Sequence, residues 1–298
     1  MELRGASTLL ALTVALAACG AGDRAAGQPG DAALDVVASF YPVAEAAARV
    51  GGDQVRVTNL TPAGTEPHDL ELTPSQIDQL EDADLVVYLG RGFQPGVQAV
   101  AERRSGPTLD LLEGAGVGPA AGGGTVDPHF WLDPTLLSRA AAAIEAELAA
   151  LAPVGAAVHS AAERYRQELA ALDGRLEAGL AGCRRKDIVT SHAAFAYLAR
   201  RYGLIQRPVA GLSPESEPDA RRLDELADLI ARTGTTTVFS ETLASPRVAR
   251  ALAREEGVAT AVLDPIEGLT AADLEAGADY AAVMDRNLAI LRAALDCP

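Results

Sequence analysis

The sequence is poor in lysine, in aromatic residues and in cysteine. Lys186 is the only lysine, aromatic residues make up 4% of the 298 residues, and there are three cysteines. The formal net charge is −16. This balance argues against a nucleic-acid partner, because phosphate binding needs clustered basic side chains. An acidic surface is compatible with a cationic ligand. An organic ligand would need aromatic or arginine-rich crevice walls, and this chain is poor in aromatic residues.

The sequence also lacks an apolar run long enough for a transmembrane helix, which needs about 20 residues. The run Leu9–Ala18 is shorter and is typical of the apolar core of a secretory signal, so we interpret residues 1–18 as a signal peptide. It ends in Leu16-Ala17-Ala18-Cys19-Gly20, which resembles a bacterial lipobox. We expect lipid on Cys19, a flexible tether over residues 19–33 and an extracytoplasmic, membrane-anchored protein. A plain signal peptide with a chance cysteine is the alternative.

The other two cysteines, Cys183 and Cys297, would then lie in an oxidising compartment, where disulfides persist. We predict a disulfide between them that ties the chain end to the second half of the protein. Two buried free thiols are the alternative.

Short apolar runs alternate with helical stretches, a pattern that predicts parallel sheets with right-handed crossovers in an α/β fold. Their richness in Val, Ile, Leu and Thr is typical of strands covered on both faces. The predicted strands are Leu34–Phe40, Gln54–Leu60, Asp84–Gly90, Thr108–Leu111, Asp187–His192, Leu204–Leu212, Thr236–Glu241 and Thr260–Asp264.

No strand is predicted in the middle of the chain, where a helix can run from Ala156 for about 25 residues, or about 38 Å. We therefore predict two lobes, each with a parallel four-stranded sheet flanked by helices, joined by a long linking helix. The expected boundaries are an N-terminal lobe at 34–134, a helical linker at 135–182 and a C-terminal lobe at 183–298. Helix starts are predicted at Thr73-Pro74, Ser245-Pro246 and Thr270.

Three of the four histidines occupy special positions. His68 follows the second predicted strand, His192 ends the fifth, and His129 lies in Asp127-Pro128-His129-Phe130-Trp131 before the linking helix. Because ligands bind at the carboxyl ends of strands in open α/β sheets, these side chains are predicted to converge in the crevice between the lobes. His159 lies within the helical middle and is predicted to face solvent.

A fourth ligand is expected from the carboxylates that end strands. Asp264 ends the eighth strand, and we favour it over Glu241, which ends the seventh. Three imidazoles and one carboxylate suit tetrahedral Zn²⁺. Glu241 is the candidate for orienting a ligand histidine or for replacing Asp264. Glu66, Asp127 and Asp133 are weaker candidates for orienting roles, with turn formation as their alternative.

The chain resembles the bacterial metal-binding lipoproteins, the zinc- and manganese-binding proteins of ABC importers. The resemblance covers about Val36 to Leu295 and is strongest in the Asp-Pro-His-x-Trp-x-Asp-Pro motif. It is carried by Gly64–His68, Ala83–Val87, Asp127–Pro134, His192–Tyr197, Phe239–Glu241 and Leu263–Pro265. Two departures are the absence of histidine from Gly114–Val126, where many zinc members have a His-rich loop, and Phe93-Gln94-Pro95, where the family tends to have Glu and Trp.

The resemblance implies metal binding between two lobes through His68, His129, His192 and Asp264. It implies an extracytoplasmic solute-binding protein that captures Zn²⁺ for an ABC permease and its ATPase. We expect a monomer and no enzymatic activity. Manganese-selective relatives usually carry Glu in place of His192, so zinc is favoured and a manganese or mixed importer is the alternative. A zinc hydrolase, with Glu241 or Asp264 as the base, is the less favoured reading.

Overall fold

The eight strands form two parallel sheets in this computed structural model, which describes Met1 and residues 33–118, 125–151, 155–216 and 218–298. The first sheet has the order β2-β1-β3-β4 and the second β6-β5-β7-β8, so both sheets share one pattern. The α/β class and the eight predicted strands are confirmed. Their bounds are β1 Leu34–Ala38, β2 Val55–Asn59, β3 Leu85–Tyr88, β4 Thr108–Asp110, β5 Asp187–Thr190, β6 Ile205–Pro208, β7 Thr237–Ser240 and β8 Ala259–Val262.

Helices cover both sheets and fill the middle of the chain. In the described residues they are α1 Tyr41–Gly51, α2 Pro74–Asp82, α3 Pro95–Arg103, α4 Leu111–Gly114, α5 Pro134–Leu151, α6 Gly155–Leu180, α7 Ala196–Arg201, α8 Ala220–Thr233, α9 Arg247–Glu255, α10 Ala271–Glu275 and α11 Tyr280–Leu295. The long helix α6 begins within one residue of the predicted start. None of the described helices is both long and apolar enough to span a bilayer.

Two of the three predicted helix starts have the expected capping geometry. Thr73 and Thr270 each form a capping box with the residue three positions later. At the third, the helix begins at Arg247, and Pro246 rather than Ser245 occupies the N-cap position without a side-chain hydrogen bond. The Ser245 prediction was therefore wrong.

One continuous hydrophobic cluster runs through both halves of the molecule. It contains Val36 and Trp131 from the first half, Leu169 from α6, and Ile188 and Met284 from the second half. Burial of apolar surface of this kind is the main stabilising contribution in a folded domain. The two sheets are thus joined by a common core as well as by α6, which contacts both α1 and α11.

A disulfide links Cys183 to Cys297. It joins the segment between α6 and β5 to the three residues that follow α11. The signal peptide, Cys19 and all of the expected tether except residue 33 lie outside the described residues.

Candidate metal centre

Four segments that follow strands or precede helices carry the candidate metal ligands. His68 lies in the short 3₁₀ turn Pro67–Asp69 after β2, and His129 directly precedes the 3₁₀ turn Phe130–Leu132. His192 follows β5. The fourth group is Glu267, in the segment that connects β8 to α10. The first half of the chain therefore contributes two donors and the second half contributes the other two, as expected for the carboxyl ends of parallel strands.

The four side chains converge on one point. The Nε2 atoms of His68, His129 and His192 lie 3.3, 3.0 and 3.4 Å from Glu267 Oε1, and those of His129 and His192 are 3.3 Å apart. All four donor atoms lie within 4.8 Å of one another. Metal–donor bonds of about 2.0–2.1 Å in a tetrahedral zinc site correspond to donor–donor distances of about 3.3 Å. The spacing of His129, His192 and Glu267 already matches that value.

Three of the four converging side chains are almost fully buried, and the fourth is partly exposed. The side chains of His129 and His192 are 0% exposed and that of Glu267 is 1% exposed, whereas that of His68 is 11% exposed. Glu267 Oε2 is buried and has no hydrogen-bond partner among the described residues. A buried polar atom without a partner is costly, and this one belongs to the carboxylate whose other oxygen meets the three imidazoles.

Carboxylates orient two of the three imidazoles. Asp127 Oδ1 lies 2.7 Å from His129 Nδ1, and Glu241 Oε2 lies 2.6 Å from His192 Nδ1. Such partners fix the ring orientation and the tautomer, so that Nε2 is free to coordinate. Glu241 Oε1 also accepts the backbone N–H of His192 at 3.1 Å.

His68 is held differently. Glu66 Oε1 accepts its backbone N–H at 3.2 Å, and the Phe93 ring packs edge-on with a centroid distance of 4.6 Å. Where the chain is described, no carboxylate is hydrogen-bonded to its Nδ1. The position of this imidazole thus depends on packing and on its loop.

The charged groups in the site strongly shift the pKa values of its titratable side chains. Burial lowers the pKa of His192, but its hydrogen bonds to Glu241 and Glu267 outweigh that effect and raise the pKa to about 10. The pKa of His129 is raised in the same way, against burial, by Asp127 and Glu267. Burial opposes ionisation of Glu267, yet hydrogen bonds from the three imidazoles hold its pKa well below the usual value. The site therefore favours positive charge beside Glu267.

The prediction that Asp264 completes this group is corrected by the geometry. Asp264 is buried, but its Oδ1 accepts the Ile266 N–H at 2.8 Å and its Oδ2 accepts the Thr242 hydroxyl at 2.7 Å. Ile266 adopts a positive φ of 57°, which turns the chain after β8 so that Glu267 faces the imidazoles. The available signal for Glu267 was a single charged residue within the apolar stretch Ile266–Leu269.

The remaining candidates have structural partners. Glu241 is in the orienting position and not among the four converging groups. Asp133 accepts hydrogen bonds from the N–H and the hydroxyl of Thr135 at the start of α5. This is the turn formation that was the alternative prediction for Asp133. His159 is 68% exposed and lies 2.7 Å from Glu145.

Comparison with known proteins gives a consistent result. Residues 36–294 match the family described as "Zinc-uptake complex component A periplasmic". The chain is 34% identical over 283 residues to the zinc-binding lipoprotein AdcA of Streptococcus pneumoniae, an alignment that covers 89% of this chain and 56% of AdcA. It is 33% identical to the high-affinity zinc uptake system protein ZnuA of Bacillus subtilis, covering 98% of this chain and 97% of that protein.

A solved structure agrees with these relatives. The Zn(II)-bound ZnuA-like domain of S. pneumoniae AdcA superimposes with a TM-score of 0.76 at 36% identity, covering 89% of this chain and 100% of that domain. The present chain thus spans about half the length of AdcA and corresponds to its ZnuA-like domain.

Proposed function

Because the chain belongs to the family of periplasmic zinc-uptake components, we propose that it is the extracytoplasmic solute-binding protein of an ABC importer. It captures Zn²⁺ and delivers it to the permease, which works with its ATPase. Lipid on Cys19 anchors it to the cell membrane, and it acts as a monomer. The observation that carries this proposal is the convergence of His68, His129, His192 and Glu267 on one point.

The chemistry of these four donors favours capture over catalysis. Three imidazole nitrogens and one carboxylate oxygen match the ligands that Zn²⁺ takes in tetrahedral sites. When the protein supplies all four donors, no position stays open for a reacting water or substrate, as a zinc hydrolase would require. Burial of three donors keeps bulk water away from the ion, while the partial exposure of His68 leaves one side reachable.

The choice of zinc over manganese follows from the donor types. Mn²⁺ prefers more oxygen ligands, whereas imidazole suits Zn²⁺. His192 contributes nitrogen, and its Nδ1 partner Glu241 increases the basicity of the ring. The curated relatives AdcA and ZnuA carry zinc in their names, which supports the same choice.

Metal analysis followed by competition titration tests the proposal. Purified protein is stripped of metal, and Zn²⁺ and Mn²⁺ are titrated against a chromophoric chelator of known affinity. We expect one Zn²⁺ per chain and much weaker binding of Mn²⁺. Tighter binding of Mn²⁺ would make this a manganese importer component, and no binding of either ion would refute the proposal.

A further inference from the structure

The segment Asp264–Leu269, here named the Glu267 loop, is hydrogen-bonded to three segments around the site. Two of them carry His68 and His129, and the third carries Glu241, the partner of His192. Thr242, the residue after Glu241, donates its hydroxyl to Asp264 Oδ2 at 2.7 Å. Trp131, two residues after His129, donates its Nε1–H to the Pro265 carbonyl at 2.8 Å. Gly64, in the loop that leads to His68, donates its N–H to the Leu269 carbonyl at 2.9 Å. The loop therefore relates the position of Glu267 to the His68 and His129 segments directly, and to His192 through the Glu241 segment.

Asn287 fixes the backbone at the start of the Glu267 loop. This side chain on α11 is 1% exposed. Its Oδ1 accepts the Asp264 N–H at 3.0 Å and its Nδ2 donates to the Asp264 carbonyl at 2.7 Å. Both backbone groups of Asp264 are thus fixed by one amide, which can do so because it is a donor and an acceptor at once.

Asp264 in turn fixes the turn that aims Glu267. Its Oδ1 accepts the N–H of Ile266, a fully buried residue with φ of 57°. The left-handed region is unfavourable for a β-branched residue, and such conformations persist where surrounding contacts over-determine them and often mark functional sites. Here the contacts are the Asp264 hydrogen bond and the burial of the Ile266 side chain. Glu267 is the next residue in the chain.

We propose that Asp264 and Asn287 are positioning residues that place Glu267 on the metal, and that Asp264 itself does not bind the ion. This inference rests on the proposed function, since it takes Glu267 as a zinc ligand. Asp264 acts through its hydrogen bonds to Ile266 and Thr242, and Asn287 acts through the backbone of Asp264. Residues of this kind typically change metal affinity by 10–100-fold when they are lost.

The decisive comparison is between Asp264→Asn and Asp264→Ala. Asparagine keeps an oxygen acceptor for the Ile266 N–H, and its amide can donate to the Thr242 hydroxyl, which is donor and acceptor alike. We expect Asp264→Asn to bind Zn²⁺ within about threefold of the parent protein and Asp264→Ala to bind about 10–100-fold more weakly. Asn287→Leu, which is similar in size and removes both amide contacts, is expected to resemble Asp264→Ala.

Two further variants control this series. Asp279→Ala removes another aspartate that accepts a backbone N–H, that of Ala282 at the start of α11, and we expect it to lower stability in urea without changing Zn²⁺ affinity. Glu267→Gln is expected to weaken binding more than Asp264→Ala does. Visible absorption of the Co²⁺-loaded proteins reports the coordination, and we expect an unchanged spectrum for Asp264→Asn and a changed one for Glu267→Gln.

The outcomes distinguish this inference from the proposed function. If Asp264→Asn is as weak as Asp264→Ala, or changes the Co²⁺ spectrum, the charge of Asp264 matters at the ion and the positioning role is wrong. Unchanged affinity in Asp264→Ala and Asn287→Leu would also overturn it. If the parent protein fails to bind Zn²⁺, or Glu267→Gln binds as well as the parent, the proposed site itself is wrong.

Discussion

His68 and His192 belong to the same site but differ most in their burial and in how they are held. His192 is completely buried, and both its backbone N–H and its Nδ1 contact Glu241. His68 is partly exposed and is held by ring packing against Phe93 and by its own loop. The comparison indicates that His192, with His129 and Glu267, forms a preorganised platform, whereas His68 completes the site from its accessible side. Preorganised donors lose little freedom on binding, and that lowers the cost of association.

Replacing His192 should have the largest effect. His192→Ala removes a donor of the platform and leaves the buried carboxylate of Glu241 without its imidazole partner. We expect Zn²⁺ affinity to fall by at least about 1,000-fold, because losing a direct ligand exceeds the 10–100-fold typical of an orienting partner. His159→Ala, which removes an exposed histidine, is the matched control and should bind as the parent does. Equal effects in a competition titration would contradict the ligand assignment.

Lowering the pH from 7.5 to 5 should weaken Zn²⁺ binding by about 100-fold or more, because each imidazole must be neutral to coordinate. Carboxylate partners raise the pKa of His129 and of His192, the latter to about 10, so protons already compete with Zn²⁺ at neutral pH and compete more strongly as the pH falls. Zn²⁺ must displace these protons to bind, so each drop in pH raises the concentration of the competing protons and lowers the affinity. Titrations in one chelator series at several pH values measure this, and a flat profile would rule out histidine ligands.

Replacing His68 should have a smaller effect than replacing His192. His68→Ala leaves the platform of His129, His192 and Glu267 with its spacing of 3.0–3.4 Å. We expect the loss of Zn²⁺ affinity to be about tenfold smaller than that in His192→Ala, since water can take the vacated position as it does in three-ligand zinc sites. The pH dependence should persist in this variant. A loss equal to that of His192→Ala would show that the two histidines are equivalent and would contradict the distinction between the platform and His68.

The pattern of the sequence predicted the fold and most of the site because both depend on local rules. Eight apolar runs became eight strands, and His68 and His192 follow strands as expected. Glu267 was missed because its placement depends on tertiary contacts: Asn287, from a distant helix, fixes Asp264, and the left-handed Ile266 redirects the chain. The expectation that ligands lie at the carboxyl ends of strands selects Asp264, the first carboxylate after β8. It does not anticipate a turn that places a later residue at the site.

The common hydrophobic cluster has a further consequence for how the protein can be divided. Val36 and Trp131 belong to the same buried cluster as Ile188 and Met284, so separating the halves would expose apolar surface on each. A domain that folds alone has its own hydrophobic core, so we expect the two halves to unfold together. Fragments that correspond to either sheet alone are therefore poor candidates for separate expression, whereas the two together are expected to melt in a single transition.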